Sequence, residues 1–142
     1  FRLETFQRTV GIFQNATLFF LALVLAAQLL YAGGINVDMT MLVLLGMGGL
    51  FIVLGNFLGK TRKNFFIGIR TPWTLASDEV WIRTHRLAGW LFVAVGILFI
   101  GAAPFGASHV VIISGAVIAA LVPTFYSLWL YKRLEGFRQE SE

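Results

Sequence analysis

The sequence contains no cysteine, only three prolines and two histidines, and Asp, Glu, Lys and Arg make up just 13% of its 142 residues. Without cysteine there is neither a disulfide nor a thiolate metal site. Soluble domains carry about a quarter charged residues, so this charge content excludes an ordinary soluble fold. The seven acidic residues all fall outside the long apolar runs. A coupled transporter usually keeps an ionisable group at membrane depth, and none is available here. A haem-binding bundle needs axial ligands on facing helices. His85 and His109 lie at opposite ends of the same hairpin, so that class is excluded too.

What the sequence does have is apolar length: 58% of its residues are hydrophobic. A helix needs roughly 20 apolar residues to cross the hydrocarbon layer. Four segments approach or meet this: Val10–Tyr31, Met39–Leu58, Leu87–Ala103 and Val110–Tyr131. None has Asp, Glu, Lys or Arg in its interior, where a charge costs several kcal/mol. Runs such as LFFLALVLAAQLL do not alternate as barrel strands would. The fold class is therefore an all-α integral membrane protein, a four-transmembrane-helix bundle. The first apolar run is too long and uncut for a cleaved signal peptide. The chain begins at Phe1, and residues are expected upstream of it.

The eleven Lys and Arg fall into three groups. Arg2 and Arg8 precede the first span. Lys60, Arg62, Lys63, Arg70, Arg83 and Arg86 lie between the second and third. Lys132, Arg133 and Arg138 follow the fourth. The short turns GGINVD and PFGASH carry none. Positive residues mark the cytoplasmic side, so both termini and loop 59–86 are expected in the cytosol of a bacterial plasma membrane. The domain layout is then an N-terminal segment 1–9, a membrane domain 10–131 and a tail 132–142. The polar tail RLEGFRQESE is expected to fray. The basic residues near the inner leaflet attract anionic lipid, which accounts for Lys132, Arg133 and Arg138, and the high pI calls for no nucleic acid.

Small residues recur at four-residue spacing: Gly55–Gly59, Gly115–Ala119 and Ala116–Ala120. They let helix backbones approach closely in lipid. Packing inside the bundle is the favoured use, with a homodimer face as the other. Gly33-Gly34 marks a tight turn. Pro123 should kink the fourth span or loosen one backbone bond. The two hairpins do not match each other in sequence, so an inverted-repeat transporter gains no support.

Loop 59–86 is too long for a turn and too aromatic for a disordered linker. Lys60–Lys63 forms a basic collar. Asn64–Leu75 reads as ordered and non-helical, with Gly68 free to take unusual backbone angles and Pro72 restricting Thr71. Phe65, Phe66, Ile67, Ile69 and Trp73 suit the interfacial zone. From Ser77, a natural N-cap followed by Asp78 and Glu79, a helix can run unbroken into the third span. Asp78, Trp81 and His85 share one stripe of it; Glu79, Arg83 and Arg86 share another, with Glu79–Arg83 a favourable pair.

The residues Gly55-Asn56, then Asn64 through Leu75 (NFFIGIRTPWTL), then Glu79-Val80-Trp81, Thr84-His85-Arg86 and Gly89, resemble the SdpI family. These are bacterial membrane proteins named for immunity to a secreted peptide toxin, the sporulation-delaying protein. The match spans about a fifth to a quarter of the chain, and its Gly, Pro and Trp placement is specific. The family pattern has proline before the Asn64 position, where this chain has Lys63, and Asn is common where Ser77 stands. The resemblance implies resistance to a membrane-active peptide toxin and a cytosolic loop able to hold a transcriptional repressor at the membrane.

On this reading the functional residues are Asn56, Asn64, Arg70, Trp73, Glu79, Trp81, His85 and Arg86, with no catalytic residue, metal or cofactor. Arg70 is expected to pair with Glu79, folding the loop back, with Trp73 and Trp81 clamping it by packing. Two alternatives compete. One is a membrane enzyme acting on lipid or envelope precursors, with His85 as general base oriented by Asp78 beside Glu79. The other is a passive transporter or channel subunit. His109 reads as a solvated interfacial residue.

Overall fold

A computed structural model describes residues 2–139. Four helices are long and apolar enough to cross a membrane. Helix α1 spans Arg2–Ala32, α2 Met39–Leu58, α4 Asp78–Ala102 and α5 His109–Gln139, and a five-residue helix α3, Pro72–Ala76, sits in the loop between α2 and α4. Each expected span is present. Helix α1 begins well before Val10 and α5 continues past Tyr131, so the segment before the first span and the start of the tail are helical extensions of the spans. The expected fraying does not appear up to Gln139; residues 140–142 lie outside the described residues.

Local chemistry sets the ends. The Asp38 side chain caps α2 by accepting from the Met41 N–H at 3.0 Å, which satisfies one of the four free donors of a helix start. Gly34 (φ +89°) turns the chain after α1, and Gly106 (φ +62°) turns it after the 3-10 turn Ala103–Phe105. Both conformations favour residues without a Cβ. Pro123 lies buried within α5.

The bundle is organised around α4. It packs most extensively on α2 and next on α5. The core cluster contains Leu44, Phe51, Val95, Phe99, Ala103 and Ala119, and Phe51 stacks on Phe92 with ring centroids 4.9 Å apart. Two glycine pairs bring the α2 and α4 backbones together. A Cβ on Gly55 would lie 2.7 Å from the Gly89 carbonyl oxygen, and one on Gly96 2.6 Å from that of Gly48. Gly48 and Gly55 of α2 therefore serve packing inside the bundle, while a Cβ on Gly49 would meet nothing within 4 Å. A Cβ on Gly115 would likewise meet the Phe99 ring at 2.6 Å.

Helix α1 is peripheral. It packs on α2, buries Ala27, and leaves Leu18, Phe19, Leu25 and Leu29 largely exposed. Between α1 and α2 runs an apolar groove of about 670 Å³, bordered by Phe19, Phe20, Leu23, Leu45, Gly49 and Leu50.

Candidate functional site: a loop latched onto the bundle

The long loop is docked against α4 and α5. Its centre is His85, fully buried on α4. The imidazole stacks on Trp81 with centroids 3.9 Å apart. Its Nε2 accepts the Ile69 backbone N–H at 2.9 Å, and its Nδ1 lies 2.9 Å from the Trp81 carbonyl oxygen. An acceptor role at Nε2 and a carbonyl facing Nδ1 together require a neutral ring carrying its proton on Nδ1. Protonating Nε2 would set one N–H against another. His85 thus acts as a latch that fixes the loop backbone at Ile69.

Gly68 makes the latch possible. Its φ is +112°, and a Cβ there would collide with Nε2 of His85. Only glycine tolerates both the backbone angle and the approach.

Two further contacts pin the loop at other points. The Trp81 indole N–H donates to the Thr61 carbonyl at 2.9 Å, tying the end of α2 to α4. The Trp73 indole N–H donates to Ser127 Oγ on α5 at 2.7 Å, and the Ser127 hydroxyl in turn donates to the Thr124 carbonyl at 2.6 Å. The two tryptophans do hold the loop, but at separate places and through their N–H groups.

Residues 64–75, expected from sequence to be ordered and non-helical, are helical in part: Pro72–Ala76 forms α3. Thr71 and Thr74 build a capping box with Pro72 in the first turn, where its fixed φ and missing N–H cost nothing. Thr74, fully buried, accepts the Thr71 N–H at 2.9 Å and lies 2.8 Å from the Ile69 carbonyl and 2.9 Å from that of Thr71. One hydroxyl therefore joins the helix start to the loop segment held by His85. Thr74→Val keeps the shape and removes the hydroxyl. It should cost about 1–3 kcal/mol by leaving buried backbone groups unpaired, read as a lower thermal midpoint and faster proteolysis within the loop.

The expected Arg70–Glu79 pair does not form. The Arg70 guanidinium donates to the Phe65 carbonyl, and Glu79 pairs with Arg83 at 2.5 Å, one helical turn away. The nearer partner wins because both side chains already share a helix face. Nor is there an Asp78–His85 dyad: Asp78 pairs with Lys63, and both ring nitrogens of His85 are committed to backbone groups. Ser77 does cap α4, accepting from the Val80 N–H at 3.4 Å.

Of the eight sequence-derived site residues, the loop brings Trp73, Trp81 and His85 into one docked assembly. Asn64 organises the tip, its Oδ1 accepting from the N–H groups of Phe66 and Ile67, each at 2.8 Å. Arg70 steadies the same tip. Asn56 and Arg86 are exposed on their helices, and Glu79 belongs to a surface ion pair. Thr61, Gly68, Thr74 and Ser127 were missing from that set. The Thr-Pro-x-Thr spacing signals the Thr71–Thr74 cap; nothing local points from Trp73 to Ser127, which is far along the chain. Thr84, one turn before Ala88 on the same buried face, has the one buried side-chain oxygen without a partner among the described residues. Among the described residues no group of three His, Asp or Glu side chains could hold a metal ion.

Four spanning helices closed at one end by a latched loop define a multi-pass helical membrane protein whose distinctive part is that loop. The family resemblance lies in the same region: residues 60–127 match the model of the SdpI/YfhL protein family. It is also 30% identical over 126 residues to the Immunity protein SdpI of Bacillus subtilis (strain 168), an alignment covering 87% of this chain. The chain spans 61% of the length of that relative. No solved structure matches it.

Proposed function

We propose that this protein is a membrane immunity protein: it lowers the sensitivity of its host to a secreted, membrane-active peptide toxin without catalysing a reaction. The supporting observation is the likeness to a protein named for immunity, which extends over most of the chain and includes both the latched loop and the helices it docks on. In this reading residues 10–131 form the working membrane domain. Loop 59–86 and both termini face the cytosol, a reading supported by the placement of the basic residues. The latched loop couples the bundle to the cytosolic side, where its exposed surface holds a regulatory protein at the membrane. His85 is a positioning residue, since both ring nitrogens are used to fix backbone.

The test is deletion and overexpression in the host, scored for killing by secreted membrane-active peptides. Deletion should sensitise cells and overexpression should protect them; unchanged sensitivity in both would end the immunity reading. His85→Ala, delivered to the membrane at normal levels, should lose protection. His85→Gln, whose amide oxygen can still accept the Ile69 N–H, should keep part of it.

A further inference from the structure

We propose that the tip of the basic loop is a docking surface for anionic phospholipid of the membrane in which the protein sits. Phe65 and Phe66 are adjacent and 74% and 75% exposed. They are held outward on a built turn. Asn64 Oδ1 binds the backbone N–H groups of Phe66 and Ile67, Asn64 Nδ2 donates to the Arg62 carbonyl at 2.8 Å, and Arg70 holds the Phe65 carbonyl. Behind the turn, Ile69 is fixed to His85. These bonds fix the backbone beneath the two rings, which project from it into the exposed zone. Phe66 also meets Phe6 of α1 at 5.8 Å, which carries the aromatic patch onto the neighbouring helix.

Charge names the occupant. Segment 59–86 has six basic against two acidic residues. Those two are engaged, Asp78 by Lys63 and Glu79 by Arg83. Lys60 and Arg62 are exposed and, among the described residues, meet no carboxylate. Lys60 stands two residues beyond Leu58, where the apolar helix α2 ends. The tip therefore lies at the level of the lipid headgroups, where aromatic rings are favoured and Lys and Arg attract anionic lipid. An acidic protein would find the same charges, but a surface anchored beside a helix end meets the headgroups first.

The absence of cysteine gives a direct test. Phe65→Cys carries a unique environment-sensitive fluorophore on the full chain, reconstituted into nanodiscs of phosphatidylcholine alone or with phosphatidylglycerol. The label should become shielded from acrylamide, a neutral aqueous quencher, when phosphatidylglycerol is present, and high salt should reverse this. Replacing both Lys60 and Arg62 by Gln should lower the docked-to-undocked ratio about thirtyfold. The same exchange at Lys132 and Arg133 should leave the shielding in place. A second label at Phe66→Cys should report the same pattern. Equal exposure in both lipids, or undiminished shielding in the Lys60→Gln/Arg62→Gln protein, overturns the proposal. So does shielding that appears only when a cytosolic extract is added, which would assign the surface to a protein partner.

Discussion

Gly68→Ala should release the loop from the bundle while leaving the membrane spans in place. The substitution imposes two costs at one site. An L-residue at φ +112° is strained by about 1–3 kcal/mol, and its methyl group would occupy the space of His85 Nε2. The loop must move, so the Ile69 N–H and the imidazole both lose their partner inside a buried site. The expected result is new protease cleavage between Lys60 and Ser77, a lowered thermal midpoint, and loss of protection in toxin-exposed cells at normal membrane abundance. Gly49→Ala is the matching control, because a Cβ there meets nothing within 4 Å. If Gly68→Ala cells resist the toxin fully and the loop stays protease-resistant, the latch is not required for function.

The second large effect concerns the seam between α2 and α4. Gly96→Ala and Gly55→Ala each place a methyl group under 3.0 Å from a backbone carbonyl oxygen of the opposite helix. Backbone cannot rotate aside as a side chain can, so the helices must separate. Overpacking of this kind costs about 1–3 kcal/mol, and a leucine at either position should dismantle the pair. Alanine at Gly101, where a Cβ meets nothing within 4 Å, should be neutral. Thermal unfolding in detergent would distinguish these outcomes: similar midpoints for Gly96→Ala and Gly101→Ala would refute the close crossing.

These two sites mark what sequence reading could and could not reach. Apolar length and the lack of interior charge are sufficient for the four spans, because lipid imposes a simple requirement on every residue of a spanning helix. The Ser77 cap and the Glu79–Arg83 pair were legible because they are local. Gly55–Gly59 spacing pointed to a close-packed face but not to its partner, and the contact of consequence is Gly55 with Gly89 across two helices. Opposite charge alone points Arg70 to Glu79; the backbone carbonyl of Phe65 and the nearer Arg83 take the two groups instead. Helix α3 escaped because five residues are too few to show a period. The position of His85 at a membrane entry marks it in the sequence, yet its role as an acceptor for a backbone N–H sixteen residues earlier depends on the fold of the loop.

Helix α1 shares none of the glycine seams of α4 and none of the hydrogen bonds of the latch. Its exposed face, with Leu18, Phe19, Leu21, Leu25, Leu29 and Leu30, suits lipid, where leucine, valine and phenylalanine are nearly interchangeable. Inheritance should therefore treat the two parts of the molecule differently. The latch and the α2–α4 seam would change only through rare, coordinated replacements. The exposed face of α1 can drift at little cost, and it is the natural place for lineages to diversify while the mechanism beside it stays the same.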